Sequence, residues 1–131
     1  MRWPRIIMAA TLIASDAACP AQALPARSID PLVREFAYCA GRLSAEMEHQ
    51  WLLSDPASDR TAVQRRAMLS LLEAASPPDQ GRDLLHLRIS AKFAHADLLR
   101  RASFDPDPES ANRARLRAEV ELAHCLALIL S

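Results

Sequence analysis

Apolar positions recur three and four residues apart in four stretches of this chain, with polar residues between them. That spacing follows the 3.6-residue turn and predicts four helices. In the first, about Pro31 to Ser54, the apolar stripe is Leu32, Phe36, Ala40, Leu43, Met47 and Trp51. The second, about Ala57 to Ala75, uses Val63, Ala67, Leu71 and Leu72. The third, about Asp79 to Ala102, uses Leu85, Ile89, Phe93, Ala96 and Leu99. The fourth, about Pro108 to Leu130, aligns Ala118, Leu122, Cys125 and Ile129. An aspartate beside a proline stands at each expected start (Asp30-Pro31, Asp55-Pro56, Pro78-Asp79 and Asp107-Pro108), where a helix takes an acceptor at its cap and proline in its first turn. The connecting cores SDPAS, SPPD and SFDPD are short, so successive helices must return alongside one another. The expectation is an all-α fold: a single up-down-up-down four-helix bundle spanning residues 30–131.

Composition supports this. Only two of 131 residues are glycine, and alanine, leucine, arginine and glutamate dominate the helical part, which suits helices and offers little for sheets. Sixteen basic residues balance sixteen acidic ones. With no net field, the composition argues against a nucleic-acid ligand or an anionic membrane surface.

Residues 1–23 depart from the helical pattern. MRWPR is cationic, IIMAATLIAS is apolar, and Ala21-Gln22-Ala23 has the small residues of an export cleavage site, so residues 1–23 read as a secretory signal peptide and 24–29 as a loose leader. The apolar run is too short to span a bilayer, which takes about 20 apolar residues, so no stable membrane anchor is expected after cleavage. Cys19 raises lipidation as an alternative, which Asp16 three positions earlier disfavours. The expected mature chain has 131 − 23 = 108 residues; removing Arg2, Arg5 and Asp16 leaves a formal charge of −1. The expected location is periplasmic or secreted.

Export leaves two cysteines in an oxidising compartment. Cys39 stands about 13 Å from one end of the bundle and Cys125 about 9 Å from the same end at 1.5 Å per residue, and both adjoin apolar stripes. We therefore predict a Cys39–Cys125 disulfide; the competing reading is two buried thiols. Gly41 is costly within a helix and is expected to let the fourth helix approach Cys39.

Candidate chemistry is sparse. Glu46-x-x-His49 and Glu121-x-x-His124 have the spacing of di-iron carboxylate bundles, but their levels, about 28 Å and about 10 Å from one end, keep them from sharing a metal. Asp83, His86, Glu121 and His124 lie nearer one level on the third and fourth helices and form a candidate zinc tetrad. Alternatively, His86 and His124 are core-edge residues bonded to carboxylates. His49 and His95 fall between polar and alanine positions and read as surface or boundary residues. Ser44 with Glu46 and His49 lacks an oxyanion pocket, and phosphate loop, nucleophile elbow and haem motifs do not occur. Arg42, Arg88 and Lys92 are either a pocket for an anionic metabolite or side chains that snorkel from the core edge to pair with Glu46, Asp83 or Glu121. Trp51, Leu52, Leu53 and Phe104 form either a lid on the core or a partner-facing patch. The single Thr-x-x-Gln element, Thr61 to Gln64, lacks the leucine that precedes it in small periplasmic stress chaperones and assigns no family.

The sequence thus reads as an exported helical module that binds a protein partner or small ligand without turning it over, and it implies no cofactor. The alternative is a small enzyme or sensor with an anion or metal site between the third and fourth helices.

Overall fold

The computed structural model describes residues 28–131, so the expected signal peptide and residues 24–27 of the leader lie outside the described residues. Four helices follow: α1 (Pro31–Leu52), α2 (Ala57–Ala75), α3 (Gly81–Phe104) and α4 (Pro108–Leu130). Among the described residues there is no strand, and no helix is long and apolar enough to cross a membrane.

The aspartate signals act at three of the four starts. The Asp30 carboxylate accepts hydrogen bonds from the Leu32 and Val33 amides at 2.8 and 3.3 Å, and Asp107 accepts one from Ser110 at 3.0 Å. These carboxylates satisfy amides that have no partner inside the helix. Asp55 receives the Ala57 amide at 2.8 Å. The third signal is displaced: α3 begins at Gly81, after a Gln80 whose side chain makes no capping bond, and runs past Ala102 to Phe104.

α1 is the centre of the bundle rather than one of four equal walls. Phe36, Ala37, Cys39, Ala40, Gly41, Leu43, Ser44, Ala45 and Met47 are all buried, and these positions point to every side of the helix. It packs most extensively on α3 and α2, while α4 lies along α3 with smaller contacts to α1 and α2. The pairs Glu48–Lys92 and His49–Ser103 rise together in number, so α1 and α3 run parallel. Glu35–His124 and Arg42–Glu121 run in opposite order, so α4 is antiparallel to α1. Together with the short connections, this is the up-down-up-down order.

Cys39 and Cys125 form the expected disulfide, with both residues fully buried and their Cα atoms 5.3 Å apart. Around it Val33, Phe36, Leu43, Met68, Leu72 and Leu84 make one apolar cluster. Each large side chain there contributes about 1.5–3 kcal/mol by leaving water. A second cluster, Ala45, Leu98, Leu99, Ala114 and Ala118, is built mostly from alanine and lets α1, α3 and α4 approach closely.

Gly41 serves a different neighbour from the one expected. A Cβ on this residue would run into the backbone carbonyl of Arg88 and would lie 2.9 Å from the Lys92 amide nitrogen and 3.1 Å from the Ala91 Cβ. It is α3, not α4, that crosses here with backbone against backbone. That crossing also turns α3. Of its expected core stripe, Leu85, Ile89 and Phe93 stand 50, 44 and 69% exposed, whereas Ala96 is half-buried and Leu99 is buried as expected; the other buried positions are Leu84, His95 and Leu98. Close contact at Gly41 admits the small Ala91 and excludes a large side chain, so the part of the stripe beside the crossing, Leu85 to Phe93, is turned outward. On α2, likewise, Val63 is exposed and the buried residues are Ser58, Thr61, Met68 and Leu72.

Trp51, Leu52, Leu53 and Phe104 do not close the upper end as a lid. All four are exposed, with His49 meeting the Phe104 ring edge-on at a centroid distance of 6.4 Å.

Candidate functional site

Two polar regions flank α1, and they differ in what their charges do. On the α4 side a chain of ionic contacts crosses three helices. His95 of α3 is fully buried; its Nδ1 hydrogen-bonds Glu121 Oε2 at 3.3 Å, and its Nε2 faces Glu46 Oε2 at 3.6 Å. This corrects the surface or boundary reading of His95. Alanines surround it in sequence, but the turn imposed on α3 points it inward. His49, by contrast, is half-buried at the boundary and bonds Ser103 Oγ at 3.0 Å.

Glu121 is the hub of this seam. Arg117 Nε donates to Oε1 at 3.0 Å, and Arg42 Nε lies 3.4 Å from Oε2. Burial pushes the Glu121 carboxyl pKa up. The hydrogen bonds from Arg117 and His95, with the charges of Arg42 and His95, outweigh burial and hold it below the ordinary value. Arg42 also lies over the Tyr38 ring at 5.8 Å and points a guanidinium nitrogen at Cys125 Sγ 3.9 Å away. Glu46 is held from its other side by Gln50 Nε2 at 3.0 Å. Every charge here has a partner within the chain, which makes the seam a structural network that fixes α1, α3 and α4 beside the disulfide.

The candidate metal tetrad is not assembled. Glu121 is engaged as described, and His124 pairs with Glu35 at 3.2 Å. Asp83 and His86 lie exposed on α3. Among the described residues no three His, Cys, Asp or Glu side chains come together as metal ligands do. A trough of about 510 Å³ between α3 and α4 does carry Arg101, Arg113 and Arg117, but their acids lie one turn away on the same helix: Asp97 at 3.0 Å, Glu109 at 3.4 Å and Glu121 at 3.0 Å.

The opposite flank is open. α2 and α3 follow one another in sequence, yet their backbones do not approach, because each packs on a different side of α1. The gap between them is a groove of two cavities, about 530 and 200 Å³, that share Leu85 and Arg88. The larger is mainly apolar, with Leu69, Leu72, Leu84 and Leu85. The smaller is polar and recessed against α1, and its floor is Gly41, Ser44 and Glu48. Arg65 of α2 and Arg88 and Lys92 of α3 enter it from the two walls.

Of the three cations considered together in sequence, then, Arg42 goes to the α4 side, while Arg88 and Lys92 go to the α2 side and meet Arg65. In sequence Arg65 counts only among arginines interleaved with acids, a pattern that argues against phosphate recognition, and nothing there groups it with Arg88 and Lys92. Its signal is present: Thr61, Arg65, Met68 and Leu72 follow helical spacing, and Thr61, Met68 and Leu72 are all buried. Ser44 is no nucleophile in this setting. Its hydroxyl donates to the Ala40 carbonyl at 2.7 Å and accepts from Arg65 Nε at 2.8 Å, while His49 is bound elsewhere.

No protein-family model matches the chain, and neither a curated protein nor a solved structure gives a significant match.

Proposed function

We propose that this protein is an exported, non-enzymatic interaction module that receives an acidic amphipathic helix of a partner protein in the groove between α2 and α3. The observation that carries this is the groove itself: two consecutive helices stay apart, Leu85 and Ile89 line its α3 side, and the exposed Phe93 continues their i, i+4, i+8 series on α3. A helix laid in a groove presents its anchors at that same period. Charge selects the sign of the partner, because Arg65, Arg88 and Lys92 outnumber the lining carboxylates Glu48 and Glu73. The cationic start, apolar run and Ala-x-Ala site of residues 1–23 support export, and a disulfide tying the first helix to the last suits an oxidising compartment.

Two synthetic amphipathic helices with one apolar stripe, one acidic and one basic on the polar face, test this reading by fluorescence anisotropy. The acidic peptide should bind, and the variant L85D/I89D should weaken it about ten-fold or more while melting within a few degrees of the wild type. Equal binding of both peptides, or indifference to the double substitution, would refute it. Export is checked by the mass of the secreted chain, which should begin at Leu24 and contain the Cys39–Cys125 bond.

A further inference from the structure

We infer that the recessed cavity over Gly41 is a binding site for a small tetrahedral oxyanion, phosphate or sulfate, free or as the terminal group of a metabolite. The site does not depend on helix docking, since its parts belong to the folded chain alone.

Three cations and one carboxylate line a space of about 200 Å³. The donors are not exhausted. Lys92 Nζ gives one bond to Glu48 at 2.6 Å, and an ammonium has three protons to offer. Arg65 uses Nε on Ser44, which anchors the guanidinium and leaves its terminal nitrogens available. Arg88 makes no hydrogen bond or ion pair with any of the described residues, although its side chain is half-buried. A half-buried guanidinium left unpaired beside a second guanidinium and an ammonium repels both, and an anion among them relieves that repulsion. Arginines suit this role because their planar donors pair bidentately with the oxygens of phosphate and sulfate.

The fold also preorganises the site. The Gly41 crossing presses α3 onto α1 at Arg88 and Lys92, so the backbone from which both side chains spring is fixed against the central helix. Arg65 is fixed from the other wall by Ser44. A receptor whose groups are already placed loses little in ordering them when the ligand arrives.

Titration with inorganic phosphate, followed by isothermal calorimetry and thermal melting at constant ionic strength set by sodium chloride, tests the inference. Phosphate should bind with one-to-one stoichiometry and raise Tm, and chloride at equal ionic strength should not. R88A should weaken phosphate about ten-fold or more, as expected for the loss of charge-assisted bonds. K92Q should weaken it too, whereas E48Q, which removes the one lining carboxylate, should strengthen it. Equal responses to phosphate and chloride would overturn the proposal, as would unchanged affinity in R88A and K92Q with native circular dichroism. Peptide binding is read separately, so failure of phosphate to bind leaves the docking experiment to stand or fall on its own result.

Discussion

α1 is flanked by two polar regions of opposite construction. On the α4 side the cations Arg42 and Arg117 converge on Glu121, and a fully buried histidine bridges Glu121 and Glu46. On the α2 side Arg88 has no partner among the described residues, and Arg65 and Lys92 line the same recess with a single carboxylate, Glu48. Side chains of the same kinds therefore have different capacities. A guanidinium already paired with carboxylates has little left to give a ligand, whereas an unpaired one over a recess has a full set of donors. Counting arginines along the sequence cannot make this distinction, but their partners do.

The largest test of the closed flank is its covalent bond. The alanine double variant C39A/C125A releases a closure spanning 86 positions and should lose about 4–5 kcal/mol against urea in the chain-entropy account. Reduction of the wild type should reproduce most of the loss. A loss below about 1 kcal/mol would mean that the ionic seam holds α4 without the disulfide, and the seam rather than the covalent bond would then be the main tie between α4 and α1.

Next is the seam itself. His95→Ala removes a fully buried ring and leaves Glu46 and Glu121 without their shared partner, which should cost about 3 kcal/mol by urea denaturation. Acid should act on the same network. Because the Glu121 pKa is lower in the folded chain than its ordinary 4.5, the stability it contributes is fully present above 4.5 and is lost as pH falls from there through the lower folded value. Glu121→Gln should therefore be destabilised at neutral pH and lose less than the wild type on going from about pH 6 to about pH 3. Parallel pH profiles for the two proteins would show that Glu121 is not an acid-sensitive point of the fold.

The legibility of this fold from sequence follows the same division. Helix number, order and the disulfide depend on capping chemistry, loop length and axial level, all of which are local or additive along the chain; Asp30, Asp107, Cys39 and Cys125 accordingly stand where expected. Rotation of a helix about its axis is not local. Leu85, Ile89 and Phe93 form a sound apolar stripe, yet Gly41 on another helix admits only the thin face of α3 and turns that stripe outward. The same rotation buries His95, which sequence alone places at the surface or boundary, and carries Arg88 and Lys92 to the side opposite Arg42. Arg65 is legible in principle on the core-facing line of α2, but a charged residue on that line has meaning only once the gap beside it is known.

The finest comparison sets one arginine from each flank against the other. Arg42→Ala removes the guanidinium 3.4 Å from Glu121 and its contact over Tyr38, so it should cost about 1–2 kcal/mol. Arg88→Ala removes no bond that the described chain makes, so stability should change by no more than about 0.5 kcal/mol. A double-mutant cycle sharpens this: Arg42 and Glu121 should couple by about 1 kcal/mol, and Arg88 with Glu48 by close to zero. Relief of cation crowding predicts further that Arg88→Ala, measured in chloride without phosphate, is neutral or slightly stabilising, because Arg65 and Lys92 then lose a like-charged neighbour. If Arg88→Ala instead destabilises the chain as much as Arg42→Ala, the guanidinium is part of the packing of α3 on α1. The two flanks would then differ in geometry but not in function.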